Sequence, residues 1–497
     1  MKRIFIANRG EIAVRIIRAC RELGITSVIG YSDADRASLA VRMADEAYRI
    51  GPPASAESYL NIPVLIETIK RTNCDAVHPG YGFLSERPAF AAACEENGIT
   101  FIGPASKIID LMGDKTRARR AVSKANMPVV PGTMEPIQDA AEAKKIATEF
   151  GFPVMIKAAA GGGGKGLRVV NSAAELESAI QIAQSEAQSA FGDSSIYIEK
   201  KIESPHHVEI QVIADHHGNV VYLGERECSI QRRHQKVIEE TPSPFISDDV
   251  RKQMCEVAVR AAQEIGYTNA GTMEFLVDAN QNFYFLEMNT RLQVEHPITE
   301  MVTGIDLVRE QIGIASGEPL SFKQSDVKPR GAAIECRIYA EDPYLGFLPS
   351  PGKITRLRTP SGPSIRDDSG IYEGYEVSIY YDPLLSKLVT WGKDRTEAIQ
   401  RMSRALREYQ VLGIQTTVEF YQGIMEDKVF LSGNYSTAFL QEFFSRTDNH
   451  SSKADPTIAM IAAAIYELEH SSSAFATTRS TNISRWKMLG RKESLGE

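Results

Sequence analysis

Strand-like and helix-like runs alternate through the first hundred residues, and this alternation constrains the fold more than any other feature of the chain. Arg3-Ile4-Phe5-Ile6-Ala7, Ser27 to Tyr31, Asp75-Ala76-Val77 and Thr100-Phe101-Ile102 read as strands, with a helix over about Glu11 to Glu22. Such a rhythm builds a doubly wound parallel sheet. The first strand-to-helix turn, Asn8-Arg9-Gly10-Glu11-Ile12-Ala13, has one glycine where a dinucleotide fingerprint needs three, which argues against NAD at this turn. The segment His78-Pro79-Gly80-Tyr81-Gly82-Phe83-Leu84-Ser85-Glu86 leaves the third of these strands at the carboxyl edge, where open α/β sheets place ligands. A plain structural turn is the equal alternative there.

At 497 residues the chain has room for roughly three compact units of about 150 residues each. It carries 56 Lys plus Arg against 64 Asp plus Glu, a net charge of -8 that argues against a surface made to coat nucleic acid. The six cysteines at 20, 74, 94, 228, 255 and 336 form no C-x-x-C, so neither a zinc knuckle nor a disulfide framework is indicated. Ile4 to Ala7 is too short for a signal-peptide core, and Ile458 to Tyr466 is far below the roughly 20 residues of a membrane span. The expectation is a cytoplasmic protein with no membrane partner.

From Asp110 to about Phe150 the pattern is helical, broken by Met127-Pro128-Val129-Val130-Pro131-Gly132, a hinge into a second, β-rich unit that runs to about Ile202. Val208 to Ala214, Gly218 to Leu223, Thr272 to Asp278 and Phe283 to Met288 then alternate as an antiparallel sheet would. After about Phe444 the chain turns Ser/Thr-rich around one helix with Asp455 as N-cap and Pro456 at its first position.

Pro153 to Lys157, a glycine run from Gly161 to Gly166, and Leu167 to Val170 read as strand, loop, strand. Because β-branched Val169 and Val170 follow, the loop is a hairpin flap rather than a strand-to-helix cradle, and Lys165 before Gly166 is not a Walker A ending. Glycines let backbone N–H groups close over polyphosphate, with Lys157 and Lys165 to supply charge; the alternative is a flexible surface hairpin.

Taking Ala279-Asn280-Gln281-Asn282 as a four-residue hairpin loop sets Asp278 against Phe283 and Glu274 against Glu287. Two facing carboxylates repel unless a cation lies between them, and Mg²⁺ takes one or two carboxylates with Asn289 as a further oxygen. A wet hairpin is the alternative. Then follows Thr290-Arg291-Leu292-Gln293-Val294-Glu295-His296-Pro297, in which Arg291 offers a fork for an anion such as bicarbonate and Glu295 a general base. The alternative is an Arg291–Glu295 ion pair fixing the loop. The cluster Glu225 to Lys236 carries too much charge for core; a solvated run is the usual reading, although it lies between strands that should line the same cleft.

Together the flap, Glu199-Lys200, the paired glutamates and E-M-N-T-R-L-Q-V-E-H-P resemble the ATP-grasp superfamily. I-A-N-R-G-E-I-A at Ile6 to Ala13, H-P-G-Y-G-F-L-S-E, Q-R-R-H-Q-K at Gln231 to Lys236 and F-L-P-S-P-G-K-I at Phe347 to Ile354 resemble biotin carboxylase, to about Phe444. The resemblance implies an N-terminal doubly wound parallel sheet over 1–114, an ATP-grasp domain over 115–330 with a mobile glycine-flap lid at about 131–203, and a C-terminal mixed antiparallel β domain over 331–444. A tail covers 445–497.

It also implies a reaction: ATP phosphorylates bicarbonate to carboxyphosphate, and the carboxyl group passes to biotin on a carrier protein. Lys115, Lys157, Gly163, Gly164, Glu199, Lys200, Lys201, Ile202, His207, Gln231 and His234 would bind ATP. Glu274, Glu287 and Asn289 would hold Mg²⁺ or Mn²⁺. Lys236, Arg291, Gln293 and Val294 would hold bicarbonate with Glu295 as base, Arg337 would stabilise the biotin enolate, and Tyr81 would pack against the biotin ring. Implied partners are a biotin carboxyl carrier protein, carboxyltransferase subunits and a second copy of the chain, in a multisubunit enzyme of which acetyl-CoA carboxylase of fatty acid biosynthesis is the commonest setting.

Trp486-Lys487-Met488 is not the A-M-K-M biotinylation site, so biotin is expected as a carrier-bound substrate. The tail is a docking segment or a disordered end. Two other functions compete: another ATP-grasp ligase working through an acyl phosphate, and a nucleotide-binding regulator without catalysis.

Overall fold

The computed structural model describes residues 1–133, 135, 137, 140–158, 168–191, 194–447, 460, 461 and 464. Two compact units result, Met1–Leu440, which carries all that follows, and Gln441–Glu497. The expected tail helix begun by Asp455 and Pro456, and Trp486 to Met488, lie outside the described residues.

The N-terminal sheet is parallel, with strands β1 (Arg3–Ile6), β2 (Thr26–Ser32), β3 (Glu46–Gly51), β4 (Ala76–His78) and β5 (Thr100–Phe101) in the order β3-β2-β1-β4-β5. Helix α1 (Gly10–Glu22) buries Ile12, Ile16, Ile17 and Cys20, the stripe that its sequence spacing predicts. Strand β3 escaped the sequence reading because as an edge strand it alternates half-buried and exposed residues and carries Glu46 and Arg49. The H-P-G-Y-G loop therefore leaves the fourth strand of the sheet, not the third.

The stretch from the hinge at 127–132 to about Ile202 is less β-rich than its sequence suggested. Strands β6 (Val154–Ala158), β7 (Arg168–Val170) and β8 (Ile196–Lys200) form a three-stranded antiparallel sheet. It is backed by two helices, preceding it α3 (Ala140–Phe150), which follows α2 (Lys115–Ser123), and within it α4 (Ala173–Phe191). Leu176, Ile180, Ala183 and Ala187, spaced four, three and four apart, are all buried in this stretch and mark α4 as a helix. Strands β6 and β7 pair antiparallel, with Val154 opposite Val170.

Eight further strands form one antiparallel sheet, and six short ones pair off in three two-stranded ribbons. The eight are β9 (His206–Ala214), β10 (Val220–Arg232), β11 (Gln235–Thr241), β12 (Asn269–Val277), β13 (Phe283–Asn289), β14 (Ala332–Tyr339), β15 (Ile365–Ser369) and β16 (Leu384–Gly392). Their order is β13-β12-β9-β10-β11-β14-β16-β15, so strands on both sides of residue 330 share a sheet, with Ile238 facing Cys336. Helix α5 (His296–Thr303) follows the E-M-N-T-R-L-Q-V-E string directly. All six cysteines are free and buried. Among the described residues no helix is long and apolar enough to cross a membrane.

Candidate active site

The β12–β13 hairpin sets Glu274 opposite Glu287 and Thr272 opposite Asn289. It reaches that register by an unexpected route. The hairpin closes one pair earlier than the four-residue loop supposed, with Val277 opposite Phe283 and the Asp278 amide donating to the Asn282 carbonyl at 2.9 Å. A register shift between Phe275–Phe285 and Glu274–Glu287 then takes up Leu286 as an extra residue, which restores the acid pair.

Glu274 Oε1 accepts from Lys236 Nζ at 2.7 Å and Asn289 Nδ2 at 2.8 Å, while its Oε2 lies 3.0 Å from His207 Nε2. Burial opposes the charge on Glu274, yet Lys236 and His207 outweigh it and hold the carboxyl well below its usual range. Glu287 goes the other way: burial and then the Glu274 charge push it up, against the pull of Lys115. A divalent cation between the two would relieve that repulsion. The donor set suits Mg²⁺, with two hard carboxylates and the Asn289 oxygen, which meanwhile accepts from Arg291 Nη2 at 3.1 Å and keeps a second lone pair.

Behind this pair lies a buried charge network. Lys236 Nζ donates to Glu295 Oε1 at 2.7 Å as well as to Glu274, and also contacts Glu209. Arg337 Nη2 lies 2.9 Å from Glu295 Oε2 and 2.6 Å from Glu239 Oε1. Glu295 is fully buried; desolvation opposes its ionisation, but Lys236, Arg337 and Arg226 keep it a carboxylate well below the usual range. The Arg291–Glu295 pair considered from sequence does not form. Arg291 donates through Nε to Glu86 Oε2 at 2.7 Å and through Nη1 to Gln293 Oε1 at 3.0 Å, and Gln293 Nε2 reaches Glu274 Oε1 at 3.4 Å.

A cleft of about 620 Å³ opens beside these groups, lined by Tyr81, Arg291, Val294, Arg337 and Glu11 among others. The Tyr81 loop is pinned by Asn8 Nδ2, which donates to the Pro79 and Tyr81 carbonyls at 2.6 and 2.7 Å. Gly80 there has φ +63°, and a Cβ on it would lie 2.9 Å from Asn8 Nδ2, so glycine is needed on both counts.

On the other side, Lys115 opens α2 behind the N-cap Asp114. Lys157 and Arg119 both hold Glu199. Gln231 Nε2 contacts His207 Nδ1 at 2.7 Å. The Lys201 amide donates to the Pro153 carbonyl at 3.1 Å, while the Lys200 ammonium reaches the Phe150 carbonyl at 3.2 Å, at the surface. Ile202 is half-buried, and His234 is exposed in the tight turn between β10 and β11 with φ 66°. Gly163, Gly164 and Lys165 lie outside the described residues.

Sequence reasoning missed Glu86, Arg119, Glu209, Arg226 and Glu239. It also misjudged the Glu225 to Lys236 cluster: Glu225, Arg226 and Glu227 are at most 3% exposed, and only the turn at 233–235 is in water. Each buried charge has a partner, Glu225 in Arg251 and Arg226 in Glu209, Gln211, Thr272 and Thr299. Composition signals charge but not its pairing, so such a run looks solvated until its partners on β9 are known.

Three domain families match the chain: the biotin carboxylase N-terminal domain over residues 1–109, the carbamoyl-phosphate synthase L chain ATP-binding domain over 114–323, and the biotin carboxylase C-terminal domain over 335–442. Biotin carboxylase 1 of Bacillus subtilis is 54% identical over 444 residues, covering 89% of this chain and 99% of that one. The propionyl-CoA carboxylase alpha chain of Ruegeria pomeroyi is 48% identical over 512 residues, covering 99% of this chain and 74% of that one. Among solved structures, the biotin carboxylase domain dimer of Hydrogenobacter thermophilus 2-oxoglutarate carboxylase, with MgADP, ADP and bicarbonate, superposes with a TM-score of 0.84 at 48% identity. That match covers 89% of this chain and 97% of that domain.

Proposed function

Because the chain belongs to the biotin carboxylase family, we propose that it uses ATP and bicarbonate to carboxylate biotin on a carrier protein, through carboxyphosphate. The observation that carries this reading is the convergence of Lys236, Arg337 and Glu295 beside the facing acids Glu274 and Glu287.

Lys115, Lys157, Glu199, Lys200, Lys201, Ile202, His207, Gln231 and His234 hold the nucleotide, together with Gly163 and Gly164. Glu274, Glu287 and Asn289 hold Mg²⁺, or Mn²⁺ in its place, which when bound neutralises phosphate charge as the phosphoryl group transfers. Lys236, Arg291, Gln293 and Val294 hold bicarbonate.

Glu295 accepts the bicarbonate proton, and the oxygen so freed attacks the γ-phosphorus while ADP leaves. The cations that keep Glu295 ionised also acidify the bicarbonate they bind, so a carboxylate held low can still serve as base. Arg337 then supports negative charge on the biotin ureido oxygen, with Tyr81 against the ring.

The chain works in the cytoplasm as a homodimer beside a biotin carboxyl carrier protein and carboxyltransferase subunits. The acceptor is set by those subunits. Acetyl-CoA is the first reading, and the similarity that continues through residues 445–497 in a propionyl-CoA carboxylase alpha chain puts propionyl-CoA beside it.

The test is phosphate release from ATP and bicarbonate with and without free biotin. Stimulation by biotin is the expected result. Turnover indifferent to biotin rejects the assignment and favours another acyl-phosphate ligase; nucleotide binding without turnover favours a regulator.

A further inference from the structure

Lys387, in β16, is fully buried, and it does not spend its best hydrogen bond on an acid. Its Nζ donates to the main-chain oxygen of Val294 at 2.9 Å, with Glu11 Oε1 at 3.2 Å and Asp368 Oδ2 at 4.0 Å. The same ammonium lies 5.8 Å from the centre of the Tyr81 ring, within the range of a cation–π contact. Burying an ammonium costs several kcal/mol unless charges and acceptors surround it, so its presence here needs a reason that a methionine of similar length would not meet.

The Val294 carbonyl belongs to the peptide that joins Val294 to Glu295. Glu295 is the N-cap of α5, and its side chain makes no capping hydrogen bond, since both oxygens are turned to Lys236 and Arg337. The backbone at this junction is therefore not fixed by the usual cap. Lys387, the cross-strand neighbour of Arg337, holds the Val294 carbonyl instead. Glu11, at the start of α1, lines the cleft and is itself buried, with Lys387 as its ion-pair partner.

We propose that Lys387, held in place by Glu11, is a positioning residue that locks the Val294–Glu295 peptide and supports the Tyr81 ring, so that the base and the biotin platform keep a common register. It rests on the function given above. Misplacement of a reacting group by about 1 Å can cost on the order of 100-fold in rate, which is the scale at stake.

The experiment compares Lys387→Met with Lys387→Gln in bicarbonate-dependent, biotin-stimulated phosphate release. Both remove the charge, but glutamine keeps an N–H donor for the Val294 carbonyl. The expected result is a fall in kcat of about 10- to 100-fold in K387M, recovered several-fold in K387Q, with KM for ATP within about twofold of wild type in both. Equal losses in the two variants, or a KM for ATP that rises in step with the loss of kcat, overturn the proposal. Should neither variant fold, Glu11→Gln carries the test. With Glu11 neutral the ammonium swings toward Asp368, and kcat is expected to fall about 3- to 10-fold with no loss of thermal stability; unchanged kcat overturns the proposal. Wild-type enzyme that ignores biotin overturns the function itself, whereas biotin-stimulated wild type with indifferent variants overturns only the role of Lys387.

Discussion

The Arg291 guanidinium is oriented by Glu86, to which it donates through Nε at 2.7 Å, across 205 positions of sequence. The same acid accepts from the Thr290 amide through its other oxygen at 3.0 Å. One carboxylate of the Tyr81 loop thus aims the fork that we propose to hold the anion. Glu86→Gln is expected to raise KM for bicarbonate about 3- to 10-fold and leave KM for ATP unchanged, as steady-state kinetics on each substrate will show. A parallel rise for ATP would mean that the loop, rather than the fork, had moved.

Removing the proposed base should separate chemistry from binding. Glu295→Gln keeps the shape of the side chain but cannot take a proton, so bicarbonate-dependent phosphate release is expected to drop by about 100- to 10,000-fold. Nucleotide affinity, read by calorimetry or a fluorescent analogue, should stay within a few-fold. Lost nucleotide binding would make Glu295 a structural residue.

The two acids of the hairpin should respond differently. Glu287→Gln lowers the repulsion within the pair but removes a hard oxygen from the proposed cation site, so the Mg²⁺ concentration for half-maximal activity is expected to rise about tenfold or more. Glu274→Gln does the same and in addition takes one carboxylate from the buried Lys236 ammonium, so a lower melting temperature should accompany it. Two variants with identical melting curves would contradict the network described here.

Arg337 is shared between Glu295 and Glu239, and both acids are fully buried. Arg337→Met should cost about 3–5 kcal/mol in denaturant unfolding, because it strands these charges. Adding Glu239→Gln should return part of that loss without restoring activity. A double variant no more stable than R337M would show that Glu239 does not depend on the guanidinium.

The buried carboxyl of Asp367 supplies a pH test. Burial pushes it from 3.8 up to about 7, against the hydroxyls of Ser386 and Tyr409. The folded protein then holds this proton more tightly than the unfolded chain, so the carboxyl lowers stability increasingly as pH rises from about 4 to 7, and the deficit levels off above that. Asp367→Asn removes the titration. Its stability relative to wild type should improve by roughly 2–3 kcal/mol between pH 5 and pH 8. A difference that stays flat across that range would refute the raised value.

Much of the architecture is legible in local pattern. The period-3.6 stripe identifies α1, while β1, β2 and the β9–β10 and β12–β13 pairs are found as short apolar-rich runs, most of them buried on both faces. Strand β3 and helix α4 escaped for opposite reasons, one being a charged edge and the other lying next to glycine-rich sequence that drew the reading toward strands. Of the site, the residues in contiguous strings could be found: Glu274, Glu287, Arg291, Glu295 and Lys236. Their partners could not. Glu86, Arg119, Glu209 and Glu239 reach the centre from distant stretches through side-chain pairing, which leaves no periodic trace in sequence.

The pairing of Glu274 with Glu287 came out correctly from a wrong loop, because the earlier closure at Val277–Phe283 and the extra residue Leu286 offset each other. A straight ladder from that closure would place Glu274 against Leu286 and turn Glu287 and Asn289 toward the side where Met273 and Phe275 are packed. Since the alignment is reset inside the strand, the connection over 278–282 is insulated from the acid pair: it is free to lengthen or shorten without moving either carboxylate, whereas a single insertion between Phe283 and Glu287 would pull the two apart.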